Sequence, residues 1–368
     1  MKANISKLIG ERIRDARNSK GIKQEEMADF LGIKDRQTIS NIERGERKVT
    51  SEELIRLMEF LGKPLEYFTD PFLITQKEVF SWRIPHEAEA KVPAEYEEKA
   101  KKIIASYREF SKMLGKRISA ISLQMQITKQ SGYEEVEDIA EYLVQEWELS
   151  EVPYENLRKV LEEKLHIPVL YVNTPKNVSG ASCRLDDLNC ILINRNEPIG
   201  RQSFNLTHEL FHLMTWDIFP PKPIDQAQPE AKPHSEKLAD RFASALLMPK
   251  ESIVKYFHTL DTEKPLLEKL ESVAIHYHVS VAAAHYRLKS LKLIQKVDEE
   301  YYNLQIKNHF VDNSMSSPPP FSKGFAEILN EAIHKGLVSV RKAMSLLECS
   351  ENDLEELFSA YNLKGLYE

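Results

Sequence analysis

Apolar residues recur at helical spacing through the first seventy positions, and a glycine closes each run. In "LIGERIRDARNSKG" Leu8, Ile9, Ile13 and Ala16 share one face, and the run stops at Gly21. "QEEMADFLG" groups Met27, Ala28 and Leu31 before Gly32, and "DRQTISNIERG" carries Ile39 and Ile42 before Gly45. "TSEELIRLMEFLG" opens on a Thr or Ser cap followed by Glu and closes at Gly62. The pair Asp70 and Pro71 then marks a boundary.

The pattern changes twice more. "EVFSWRIP" reads as extended and leads into charged helical sequence, "YEEKAKKIIASYREFSKMLGK", so residues 71–150 form a connecting helical region. From 151 onward, "YENLRKVLEEKLH" is an amphipathic helix, and "IPVLYVN" and "CILIN" are short apolar strands either side of "SGASCRLDDLN". Those strands predict a small mixed sheet among helices. "SMSSPPP" is a linker before a last helical stretch, within a C-terminal region spanning 296–368. The expected architecture is multidomain and mainly α with a small mixed sheet (α+β), divided at 1–70, 71–150, 151–295 and 296–368.

One apolar run is interrupted in a telling way. "SFNLTHELFHLMTW" places His208, Glu209 and His212 among Leu206, Leu210, Phe211 and Leu213. Burying such groups without partners costs several kcal/mol, on the order of 2–7 for a neutral polar group. Histidines four apart stack on one helix face, where two imidazoles can hold one metal ion. Glu209 lies about a hundred degrees round the helix, placed for a water rather than the ion. Catalytic zinc takes three protein ligands and keeps one position open. "HSEKLADRFASALLMP" supplies Glu236 as third ligand and, one turn later, Asp240 as the acceptor that orients a ligating histidine. Two surface histidines sharing a helix would be the plain alternative, but their apolar neighbours speak against it. Cys183 has nothing of ligand spacing near it, and His234 is either an oxyanion aid or a solvated loop residue.

Composition narrows the setting. A chain of 368 residues, 42% hydrophobic and 29% charged, has room for two or three domains. No apolar run is long enough to span a bilayer, and the N-terminus lacks the apolar core of an export signal. Three cysteines without CxxC spacing fit a reducing cytoplasm, which is the expected location. With a net charge of −7, attraction to nucleic acid must be local. Residues 34–48 hold five cations (Lys34, Arg36, Arg44, Arg47, Lys48) against three carboxylates (Asp35, Glu43, Glu46), an excess of two. Tight DNA binding would therefore need a dimer.

Two family resemblances rest on these motifs. "FNLTHELFH" followed by "EKLADRFASALLMP", with "ILINRNEPIGRQSF" before and "HVSVAAAHYRLKSLKLI" after, resembles the ImmA/IrrE family of bacterial zinc peptidases. The likeness covers about 150–295. It implies a zincin-like metallopeptidase domain, Zn2+ on His208, His212 and Glu236, and Glu209 as general base in amide hydrolysis. Two positions depart from the family pattern: Phe211 stands where glycine is usual, and Asp240 where asparagine is usual. The first would set a bulky ring beside the metal and narrow the substrate cleft.

The first seventy residues resemble the XRE-type, lambda-repressor-like helix-turn-helix domain of five helices. "KQEEMADFLGI" matches the first helix of the motif and "RQTISNIERGER" the recognition helix, although the turn "LGIKDRQTIS" is one residue longer than the commonest form. The polar face then offers Gln37, Thr38 and Asn41 to base edges, with Arg36 and Arg44 for phosphate or guanine. Gln24 matches the family's phosphate contact. Together the resemblances imply a cytoplasmic transcription regulator carrying a zinc endopeptidase. Its partners would be a double-stranded DNA operator, a repressor-type protein substrate in a stress or mobile-element switch, and a second copy of itself. The alternative is a repressor or antitoxin whose metallopeptidase-like domain only senses a ligand or partner. The presence of Glu209 weighs against that, since a structural zinc has no use for a base.

Overall fold

The computed structural model describes residues 5–75, 80–83, 92–116, 118, 124–175, 177–221, 233–295, 297, 301–307, 309 and 317–367. They form two compact units, the first made of residues 1–77, 98–117 and 328–351, the second of 78–97, 118–327 and 352–368.

In the first unit α1 (Ile5–Ser19), α2 (Gln24–Leu31), α3 (Arg36–Glu43), α4 (Ser51–Leu61) and α5 (Leu65–Thr69) are the five expected helices. Their apolar stripes meet in one core of Ile13, Met27, Ile39, Ile42, Leu57, Leu61 and Phe68. Local chemistry sets their ends. Asp35 caps α3 by accepting the Gln37 amide at 2.9 Å, and Thr50 with Glu53 closes a capping box on α4. Gly10 is required by packing: a Cβ there would overlap the Ile42 carbonyl oxygen, so only glycine lets α1 cross α3 this closely. The buried Arg12 guanidinium donates to the carbonyls of Tyr67 and Leu73, tying the chain after α5 back to α1. Burial lowers its pKa.

The second unit holds β1 (Phe80–Arg83), the rest of the sheet and most of the remaining helices, while the helical residues 98–113, 328–334 and 340–347 belong to the first unit. α6 (Ala94–Met113) and α7 (Tyr133–Glu146) precede α8 (Tyr154–Lys159), which continues through a π-helical turn at Val160–Lys164. Then come β2 (Val169–Val172), β3 (Gly180–Arg184), β4 (Asn189–Asn194), α9 (Ile199–Met214) and α10 (His234–Leu247). α11 (Lys250–Thr259), α12 (Leu266–Tyr277) and α13 (Val281–Ser290) follow, and α14 (Lys323–His334), α15 (Val340–Leu347) and α16 (Glu351–Ala360) end the chain. Ser314, Met315 and Ser316 of the expected linker lie outside the described residues.

The sheet is mixed, as expected, in the order β1-β3-β4-β2. β2 pairs parallel with β4, β3 antiparallel with β4, and β1 antiparallel with β3. One expectation is corrected. "SGASC", read as part of a connection, is strand β3, joined to β4 by a tight turn in which Leu185 N donates to Leu188 O at 2.8 Å. Gly180 to Cys183 are buried on both faces, so no polar alternation announced the strand. Behind the sheet, Leu206, Leu210 and Phe211 of α9 pack with Leu238 and Phe242 of α10 and with Val169 and Ile191 of the strands. Among the described residues no helix is long and apolar enough to cross a membrane.

Candidate metal centre and recognition helix

α9 and α10 each start directly after a proline, Pro198 and Pro233, whose fixed φ suits the approach to a helix. α9 is further fixed by Glu197, whose carboxylate accepts from Ser179 Oγ at 2.8 Å and from Asn205 Nδ2 at 2.6 Å. Burial raises the Glu197 pKa, and these two donors oppose the rise.

On that frame His208 and His212 face Glu236 one helix away. His208 Nε2 is 3.1 Å from Glu236 Oε2 and His212 Nε2 is 3.1 Å from Glu236 Oε1. The two imidazole Nε2 atoms are 3.0 Å apart. On its other side His208 Nδ1 meets Asp240 Oδ1 at 3.0 Å. Both imidazole nitrogens of His208 thus meet a carboxylate, and donation from Nδ1 to Asp240 is the tautomer that would leave Nε2 free for a metal ion shared with Glu236. Burial opposes a charge on His212, but the Glu236 carboxylate overrides it and the His212 pKa is raised. Glu236 is held well below the usual carboxylate range: its own burial opposes this, and the His212 charge with the two imidazole hydrogen bonds prevails.

This donor set fits a divalent metal. One ligand atom from each of His208, His212 and Glu236 lies within 4.8 Å of the others. Glu209 adds an independent sign. It is 1% exposed, and among the described residues neither of its carboxylate oxygens has a hydrogen-bond partner. A buried carboxylate without donors is costly, a cost that a donor bound beside the ligand cluster would offset.

In the first unit α3 carries a polar ridge. Gln37 Nε2 donates to Asn41 Oδ1 at 3.1 Å, and Arg44 Nη2 donates to the same oxygen at 2.7 Å. Arg44 also grips Glu46 in a two-point contact that raises its pKa. Gln37 and Arg44 are exposed, Thr38 and Asn41 half-buried. Gln24 is less free than the others. Its Nε2 donates to the buried Glu43 at 2.7 Å, its Oε1 accepts from Arg36 Nε at 3.1 Å, and Arg17 clamps Glu43 at 2.6 Å.

Two family models match the chain: residues 13–68 match "Helix-turn-helix" and residues 162–289 match the "IrrE N-terminal-like domain". The chain joins a DNA-binding helix-turn-helix domain to an IrrE-type metallopeptidase-like domain. Among solved structures, a Mycobacterium tuberculosis transcriptional regulator is 15% identical with a TM-score of 0.31, and this chain spans about half its length, with 50% of each chain covered. The apo form of ComR from S. thermophilus is 12% identical with a TM-score of 0.17, over 97% of this chain and 96% of that one. No curated protein matches.

Three further residues singled out in the sequence can be placed within the IrrE-type domain. Phe211 is fully buried, its ring packing on Phe242 with centroids 5.7 Å apart and standing edge-on to the His212 ring at 5.9 Å, beside the ligand cluster. The side chain follows the apolar stripe of α9 into the core. His234 is held 3.0 Å from the Ser131 carbonyl oxygen, and Cys183 lies in β3 opposite Cys190, neither within the ligand cluster. Sequence reasoning missed Arg83. It ends β1, outside the matched segment, and brings Nη2 within 3.9 Å of Asp240 Oδ1 and its guanidinium 5.7 Å over Phe204. No helical spacing relates it to the motif, and only the pairing of distant strands brings it there.

Proposed function

We propose that the protein is a zinc-dependent endopeptidase carried by an operator-binding domain, cutting a repressor-type protein in a stress or mobile-element switch. The observation that carries this reading is Glu209, buried beside the ligand cluster with both oxygens unpartnered. His208, His212 and Glu236 would hold the zinc and leave one position open, with Asp240 fixing the His208 tautomer. A bound zinc supplies Lewis acidity toward a carbonyl oxygen and toward water. Glu209 takes a proton from the attacking water as the new C–O bond forms. It then gives that proton to the departing amine as the C–N bond breaks.

In the helix-turn-helix domain Gln37, Thr38 and Asn41 read base edges, while Arg36 and Arg44 meet phosphate or guanine. Gln24 contacts phosphate at the start of α2 and, bonded to Arg36, braces that side chain for the backbone. The small local charge excess supports a homodimer on two half-sites about one helical turn apart. The test is to purify the chain without added metal, measure bound zinc, and incubate it with repressors encoded at the same locus. One zinc per chain and a single chelator-sensitive cut are expected. Absence of zinc from folded protein would overturn the reading.

A further inference from the structure

β1 reaches the sheet from far upstream of residues 162–289, yet it pairs with β3 from Phe80↔Cys183 to Arg83↔Gly180. Without it, the outer edge of β3 would present unpaired N–H and C=O groups, a template for another extended chain. That edge runs beside the metal centre. Arg83, opposite Gly180, brings its guanidinium to Asp240, whose Oδ1 also holds His208. A peptide laid on the same edge would carry its backbone past the same ligands. Hydrolysis needs that presentation, with the chain stretched and its carbonyl fixed by ladder bonds.

Two observations mark β1 as an exchangeable occupant rather than a permanent strand. Its residues Ser81, Trp82 and Arg83 are only half-buried. The indole Nε1 of Trp82 is enclosed with no acceptor among the described residues, a defect that permanent strands avoid. Its side chains also describe what the edge accepts. The Trp82 ring lies between Phe80, at 4.8 Å, and Tyr96, at 5.7 Å, while Arg83 meets a carboxylate.

We propose that the outer edge of β3 is the peptide subsite of the metal centre and that residues 80–83 fill it in cis. An extended segment bearing an aromatic residue followed by arginine gains the edge by displacing β1. The importance of the edge rests on the peptidase reading, but its occupancy can be measured without hydrolysis.

The probe is a fluorescein-labelled peptide of sequence EVFSWRIP, followed by anisotropy on full-length Glu209→Gln protein. Two derivatives are compared with it. Trp82→Pro disfavours the extended strand, and Ser81→Cys with Ser182→Cys places a reducible tether across a registered pair. Tethering in cis gives β1 a high effective concentration, so the parent should bind the probe weakly. Trp82→Pro should bind at least tenfold more tightly, and the oxidised tethered protein should not bind until reductant restores the parent's affinity. Equal affinity in all forms, or binding by the oxidised tethered form, overturns the proposal. If Trp82→Pro does not fold by circular dichroism, the oxidised and reduced tethered forms decide alone. Failure here, with zinc-dependent cleavage by the unmodified chain intact, removes only the role of β1. Probe binding as expected, with no cleavage by that chain, removes only the peptidase reading.

Discussion

His208 Nδ1 and Asp240 Oδ1 stand 3.0 Å apart, on the side of the imidazole that faces away from Glu236. On the proposed function, Asp240 would select which nitrogen of His208 is free to ligate, without being a ligand itself. Asp240→Ala should weaken zinc binding by about 10–100-fold while leaving helix content unchanged. Competition with a chromophoric chelator measures this. An unchanged affinity would mean that Asp240 does not orient the ligand.

Zinc bound only by the folded state must also stabilise it. At free zinc about a thousandfold above Kd, the gain is roughly 4 kcal/mol. Chelation should therefore lower the melting temperature of the unit holding His208, His212 and Glu236. Calorimetry with and without chelator checks this, and identical melting curves would deny a folded-state site.

Arg287 carries a separate structural load. It is 1% exposed and donates to Glu137 at 3.0 Å, to Glu141 at 2.8 Å and to the Met248 carbonyl at 3.0 Å. Burial raises the Glu141 pKa, and Arg287 opposes the rise. Arg287→Met should cost about 2–3 kcal/mol, below the roughly 3–5 of a fully buried pair because both carboxylates keep some water. Urea unfolding measures it.

The convergence of His208, His212 and Glu236 was legible because its information is local. His208 with His212, and Glu236 with Asp240, each keep the four-residue spacing that a helix turns into one face. The five N-terminal helices were legible for the same reason, with Gly32 and Gly62 adopting left-handed caps at their expected ends. What escaped depends on partners distant in sequence. β3 has no alternating pattern because both faces are covered. Arg83 reaches Asp240 only through the pairing of β1 with β3, and Gln24 is bound to Glu43 across a helix crossing.

On DNA, Gln37→Ala should weaken binding to the preferred site by about 1–3 kcal/mol and spare random duplex. Arg44→Ala should weaken both if Arg44 exchanges Glu46 for phosphate. Footprinting and salt-dependent titrations distinguish them. A Gln37→Ala protein with unaltered sequence preference would remove Gln37 from the base-reading set.

The central claim is that Glu209 is a base and not a ligand. The direct measurement pairs zinc content with cleavage rate in Glu209→Gln against the unmodified chain, on one repressor substrate at equal zinc. The account predicts full zinc occupancy and a cleavage rate reduced on the order of a hundredfold or more. Cleavage at the unmodified rate, or loss of zinc along with activity, would contradict it.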